Sequence, residues 1–344
     1  MTYDKQFRVG STAARLAPER VRIGSPGELI AAVPYLLGFV PVDSLVVVVL
    51  GGPRHEVVLV QRGDLAGLAP GVQAQLAGAA RQSGGDSAAV ILFGDVGEQA
   101  VAWSVGSRLE AAGIRLLDVL QVRNRRWTSL LCDDPTCCPP EGRPLPEVGT
   151  TAGEATLAYL GLTVEPGRDR VADRLAPDPP ERRAAVRAEL DRVPDVSPAD
   201  GLDLVRAAIR RASDGPVPPV LAAQCLAAIA DFRVRDCLLD TSVRADADAA
   251  ARLWAELTRC APDGSVAPAA VLVAAAAYVA GEGVLAAVAL ERAQSDDPDH
   301  VLAAQLSMLL ANGFPPADIR RVLVRSARES RRRLRGVGAG RRSS

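Results

Sequence analysis

The chain has 344 residues, 48% hydrophobic and 24% charged, ordinary values for a globular protein and a length that suits two domains. A net charge of −1 removes any overall pull toward nucleic acid or anionic membrane, and six cysteines are too sparse for the disulfide framework of a small secreted protein. Aromatics make up only 3%, so Ala, Val and Leu must fill the core, which favours close helix packing. The first residues carry no apolar stretch of signal-peptide type. The longest apolar run, Val266 to Ala280, contains Pro268 and falls short of the roughly 18–20 residues of a membrane span. The expectation is a cytoplasmic protein with reduced thiols and no membrane contact.

Residues 1–20 lack periodicity and read as a loose arm. Ser25, Pro26 and Glu28 form a helix start, and Leu29, Ile30, Val33, Leu36 and Leu37 recur at helical spacing up to Gly38. Pro34 is expected to kink this helix or to begin a second one. The β-branched run Leu45 to Leu50 reads as a buried strand, and Val57 to Val60 follows a Gly-Gly-Pro turn, predicting an antiparallel hairpin. That hairpin puts Asp43 and Asp64 at one sheet edge. Further along, 68–82 reads as helix, 88–93 as strand, 98–112 as helix and 114–122 as strand. A last strand, 126–131, is predicted to pair back across Arg123-Asn124-Arg125. Alternating strands and helices with hairpins at both ends argue a mixed α/β sheet in two or three layers.

After Gly142 strand signals vanish. A short helix, 154–160, leads into a Pro-rich connector, and helical patterns follow at 181–192, 198–212, 218–231, 246–260, 268–280, 283–294, 301–311 and 316–334. Most have Pro near the start. Gly281, Ala286, Leu290, Ala293 and Pro298 match the second helix and terminal proline of a tetratricopeptide repeat, although Ala270 and Ala277 stand where that repeat has aromatics. The fold class is therefore an α/β mixed-sheet N-terminal domain plus an all-α domain of paired helices. The division expected is an arm over 1–20, α/β over 21–150, a connector over 151–180, helical over 181–335 and a disordered basic tail over 336–344.

The chemistry concentrates in Arg126 to Gly142, RWTSLLCDDPTCCPPEG, at the composition break. Cys132, Cys137 and Cys138 can supply three thiolates to zinc with Asp133 or Asp134 as a fourth ligand. Against zinc stand the missing C-x-x-C pair and the difficulty of placing adjacent cysteines on one tetrahedral ion. The preferred reading is a tight loop ordered by Asx-turns and prolines, with no metal and no cofactor assigned. Cys225, Cys237 and Cys260 read as core residues. Asp43, Arg62, Asp64, Trp127, Ser129, Cys132, Asp133, Cys137 and Cys138 are the candidate pocket or junction. If the last strand ended at the Asp43/Asp64 edge, three carboxylates and a thiol would converge, as a metal-dependent hydrolase or nucleotide-handling enzyme requires. Phosphate-loop, dinucleotide, zinc-protease and serine-hydrolase motifs are absent from the sequence.

From Asp318 onward ten arginines stand against Asp318 and Glu329. Ile319, Val322 and Leu323 are expected to pack one helix face, leaving Arg331, Arg332, Arg333 and Arg335 solvated. Contact with nucleic-acid phosphates through these four is the minor alternative, since no aromatics interleave for stacking.

The segments SPGELIAAVPYLLGFVPVDSLVVVVL (from Ser25) and RWTSLLCDDPTCCPPEGRPL (from Arg126), with GEGVLAAVALERAQSDDPDH (from Gly281), resemble an actinobacterial domain-of-unknown-function family, number 4192. The resemblance implies an intracellular protein and defines no catalytic residues. The expected function is non-enzymatic binding or scaffolding, with a protein partner on the helical domain.

Overall fold

The computed structural model describes residues 5–8, 20–53, 56–159, 161–211 and 215–340. Two compact units make it up: Met1–Arg170 with Ala311–Pro315, and Val171–Leu310 with Pro316–Ser344. The division falls inside the stretch read as a connector.

The first unit begins with a strand pair. Strands β1 (Lys5–Arg8) and β2 (Arg20–Ile23) pair antiparallel where a loose arm was expected. Helix α1 (Pro26–Leu37) follows, its first turn capped by the Ser25 hydroxyl, which accepts from the Glu28 N–H at 3.2 Å. It runs through Pro34 as one helix and ends at Gly38, whose φ of 81° only glycine adopts without strain. Then come β3 (Ser44–Gly51), β4 (Glu56–Asp64), α2 (Pro70–Gln82), β5 (Ser87–Phe93), α3 (Gln99–Ala111), β6 (Arg115–Arg123), β7 (Arg126–Ser129) and the two-residue β8 (Arg143–Pro144).

The sheet order is β4-β3-β5-β6-β7-β8, with β5 and β6 parallel and every other pairing antiparallel. The parallel pair needs a crossover, which α3 supplies. Strand β3 sits inside the sheet and is buried along its whole length, which is why its β-branched run is continuous rather than alternating. Leu45, Val47, Val49, Val90, Leu92 and Val119 form one face with Leu76 and Ala80 of α2 and Val105 and Leu109 of α3. Val122, three positions beyond Val119, points to the other face, and its cross-strand partner Trp127 shares that face. There Gly27 of α1 lies against the Trp127 indole: a Cβ at position 27 would stand 3.1 Å from Nε1. Helices therefore lie on both faces, the three-layer form of the expected architecture.

The connector carries α4 (Ala152–Tyr159) and α5 (Arg168–Asp173). Among its described residues the regular structure of the second unit is helical: α6 (Pro180–Leu190), α7 (Pro198–Arg211), α8 (Pro219–Ala230), α9 (Phe232–Asp236), α10 (Ala247–Cys260), α11 (Ala267–Ala280), α12 (Gly283–Asp296), α13 (Val301–Ala311) and α14 (Pro316–Gly340). Helix α11 is buried on nearly every side, and α12 packs along it through Ala286, Leu290 and Ala293, the small and apolar positions read from sequence. Asp296, at the end of α12, accepts the N–H groups of Gly264, Val266 and Ala267 at 2.6, 2.8 and 3.0 Å and so caps the start of α11. The basic tail is corrected too: α14 continues to Gly340, and Arg331 is docked rather than solvated. Its guanidinium donates to both oxygens of Asp240, at 2.8 and 2.7 Å, and to the Cys237 carbonyl at 2.7 Å. Residues 341–344 lie outside the described residues.

His300 begins α13. Its Nδ1 faces the Ala303 N–H at 3.2 Å and its Nε2 faces Arg235 at 3.0 Å. A protonated ring would set N–H against N–H on both sides, and burial, followed by the Arg235 charge, holds its pKa below the ordinary 6.5. The unfolded chain therefore takes up the proton first, so this part of the stability is present above about pH 6.5 and is lost as pH falls through the lowered folded value. Thermal melts of wild type and His300→Gln are expected to show the wild-type advantage shrinking between pH 7.5 and pH 5; a constant difference would contradict it.

Candidate functional site: a three-thiol loop

The site is built on the end of β7. The hairpin from β6 closes in two residues, Asn124 and Arg125, with φ of 50° and 57° between the paired Arg123 and Arg126. Positive φ at both central positions is the type I′ turn that suits the twist of paired strands, and asparagine tolerates it best after glycine. Trp127 and Ser129 then face α1. The Ser129 hydroxyl donates to Asp118 Oδ1 at 2.6 Å and accepts from the Leu131 N–H at 3.2 Å, which fixes the exit of the chain from the sheet.

The loop beyond is held by its own backbone. The Asp134 carboxylate accepts the Thr136 N–H at 2.8 Å, an Asx-turn, and that bond foremost keeps its pKa below the usual value. The Asp134 carbonyl accepts both the Cys137 and Cys138 N–H groups, at 3.1 and 2.7 Å. Two arginines grip the far side. Arg143 donates to the carbonyls of Cys137 and Thr136, and Arg126 to those of Glu141 and Gly142. Gly142, at φ 73°, is required where the chain doubles back, since a Cβ there would press on the Trp127 carbonyl at 3.0 Å.

This scaffold brings the sulfurs of Cys132, Cys137 and Cys138 within 4.8 Å of one another. Adjacent cysteines are expected to be hard to place on one tetrahedral ion, yet here the Cys137 and Cys138 sulfurs both lie within 4.8 Å of that of Cys132. Both of their N–H groups hang from one carbonyl, and a turn that tight sends neighbouring side chains to the same side. Sulfurs bound to one tetrahedral zinc at 2.3 Å stand about 3.8 Å apart, so closure asks for movements of an ångström or less. Cys132 and Cys138 are half-buried and Cys137 is exposed. Burial above all pushes the Cys138 thiol up to about 11; the Ser129 N–H works against this, and the neighbouring thiols of Cys132 and Cys137 add to it. Asp133 is not part of the group, and Asp134 spends its oxygens inside the loop. Among the described residues no histidine or carboxylate joins the three thiols as a fourth ligand. His55 lies outside the described residues.

The other candidate residues go elsewhere. Ser44 pairs with Asp64, so the two hairpin acids do share an edge, and Asp43 takes a positive φ of 43° in the turn before β3. Arg62 ties this corner together: it pairs with Asp64 at 2.5 Å, donates to the Ser44 hydroxyl at 2.8 Å and lies 5.7 Å from the Phe39 ring centre. The condition for converging carboxylates is not met. Strand β7 starts level with that edge and runs away from it, because Trp127 lies on the Val122–Phe93–Ser44 row and Ser129 on the Leu120–Ile91–Val46 row. Four strand spacings of about 4.8 Å separate β4 from β7, or about 19 Å. Asp43 and Asp64 therefore shape a turn and an ion pair apart from the thiols. Arg126, Arg143 and Asp118 were not among the sequence candidates; the only sequence cue to the loop's return was the Gly142-Arg143 step after Pro-Pro.

Ser129→Ala is expected to cost the first unit about 1.5–3 kcal/mol, the effect of removing a buried hydrogen bond to a carboxylate. It should also raise the labelling rate of Cys138. Chemical denaturation and timed alkylation check both, and an unchanged labelling rate would mean that Ser129 does not anchor the loop.

Among the described residues no helix is long and apolar enough to cross a membrane. No curated protein and no solved structure matches the chain. The family described as domain of unknown function (DUF4192) matches over residues 26–317, from the first residue of α1 to the first turn of α14, and the chain belongs to that family.

Proposed function

We propose that this is a non-enzymatic, intracellular binding protein whose α/β unit holds a thiophilic cation, zinc in the first instance, on Cys132, Cys137 and Cys138. The observation that carries the reading is the convergence of three sulfurs within 4.8 Å on a loop whose carbonyls are held by Arg126 and Arg143. Thiolates select zinc and copper(I) over magnesium and calcium, and three sulfurs leave one tetrahedral position for water or for a ligand beyond the described residues. Bound metal would cross-link the end of β7 to the loop that returns as β8, so the centre acts as a staple on the sheet edge. A cytoplasm that keeps thiols reduced suits such a centre, and the family resemblance points to an actinobacterial cell. The paired helices of the second unit are the surface offered to a protein partner. The carboxylate hydrolase is the weaker reading, because Asp43 and Asp64 lie strands away from Cys132 and Asp133.

Elemental analysis of protein purified without chelator, paired with thiol counting, tests the proposal. The expected result is about one zinc per chain with Cys132, Cys137 and Cys138 protected, and Cys137→Ser losing metal and protection together. Reactive Cys132, Cys137 and Cys138 and no metal, even after incubation with zinc and with copper(I), would overturn it; Cys225, Cys237 and Cys260 are buried and stay unreactive in the folded protein either way.

A further inference from the structure

Helix α14 carries two faces of opposite character. Ile319, Leu323 and Ala327, at steps of four, are 2%, 4% and 0% exposed and pack into the helical unit. The bidentate Arg331–Asp240 pair, with both side chains largely covered, pins the same face one turn further on. What remains outside is a row of arginine. Arg325, Arg328, Arg332 and Arg335 are all exposed and make no ion pair among the described residues. At 100° per residue their steps of three, four and three keep them within an arc of about 80°, along about 15 Å of helix. Arg321 prolongs the row at its N-terminal end but is paired with Asp318.

We infer that this arginine row is a docking surface for the phosphate backbone of duplex nucleic acid, bound without reading sequence. Charge complementarity is the first argument. A row of unpaired guanidiniums on a rigid helix matches a polyanion whose charges are fixed along a line, and a chain with net charge −1 concentrates this positive field in one place. The other anionic partners fit less well. Single strands are gripped by stacking, and between Asp318 and Arg335 there is no aromatic residue. A membrane-surface helix must bury its apolar face in lipid, whereas here Ile319, Leu323 and Ala327 are already covered by the protein's own unit. The row is independent of the three-thiol loop, which lies in the other unit.

Fluorescence anisotropy with the full-length protein and a 30-base-pair duplex of arbitrary sequence gives the test, run across a salt series from 50 to 200 mM. Four phosphate contacts predict a slope of log K against log salt of about −3.6. The variant Arg325→Gln/Arg328→Gln/Arg332→Gln/Arg335→Gln, whose fold is checked by circular dichroism, should lose most of the affinity and flatten the slope toward zero. A second duplex of different sequence should bind alike. Three results would overturn the inference: no duplex binding at 50 mM salt, binding unaffected by the four substitutions, or tighter binding to the single strand or to phosphatidylserine vesicles than to the duplex. Cys137→Ser should leave duplex binding intact, which separates this outcome from that of the metal centre.

Discussion

The candidate site depends on a backbone constraint: the Asp134 carbonyl receives the N–H groups of two successive cysteines while Arg143 holds the Cys137 carbonyl from the opposite side. A peptide chain turning that sharply cannot splay Cys137 and Cys138 apart as an extended strand would. Cys132 arrives from the other direction because β7 ends at Ser129, whose hydroxyl bridges Asp118 and the Leu131 N–H. The convergence of sulfur is thus a product of backbone hydrogen bonding and not of attraction between thiols, which supply little of their own. Acidic residues nearby serve the turn rather than a cation, and this explains how a stretch rich in aspartate presents an all-sulfur set.

The sheet behind the loop supplies the rigidity. Strand β3 is buried on both faces, α2 and α3 pack one side of the sheet, and Trp127 seats against Gly27 of α1 on the other. A side chain larger than hydrogen at position 27 would push on the indole and through it on β7. The left-handed turn at Asn124 and Arg125 sets the register of β7 on β6, and a one-residue slip there would turn Trp127 and Ser129 to the wrong face. The helical unit relies on different means: an aspartate capping α11, a histidine at the head of α13, and Arg331 fastening α14 to Asp240.

Much of this was legible in the residues, and the gaps have physical causes. The run Leu45 to Leu50, the Gly-Gly-Pro turn, the Ser25 cap and the proline-initiated helices announce themselves through local periodicity and turn chemistry, so the α/β half and the helical half could be read directly. Strand direction across the sheet could not. Hairpins fix only neighbouring pairs, and the place of β7 at the far side from β4 follows from the crossover through α3. That single unknown decided whether Asp43, Asp64 and Asp133 met. Strand β8 is too short to show a period of two, so the return of the loop onto β7 and the roles of Arg126 and Arg143 were invisible. Adjacent cysteines are hard to place on one tetrahedral ion, and the turn that brings their sulfurs together depends on the Asp134 carbonyl and Arg143, which no local pattern shows. A helix pattern cannot show an acid on a distant segment, so the pairing of Arg331 with Asp240 is not legible from it.

X-ray absorption at the zinc edge reads the sulfur shell itself. Zinc-loaded full-length protein is expected to show three sulfur neighbours at about 2.3 Å with one lighter atom, and Cys138→Ser is expected to lose that sulfur shell together with the metal. A first shell of oxygen and nitrogen alone, unchanged by that substitution, would contradict the three-thiol centre.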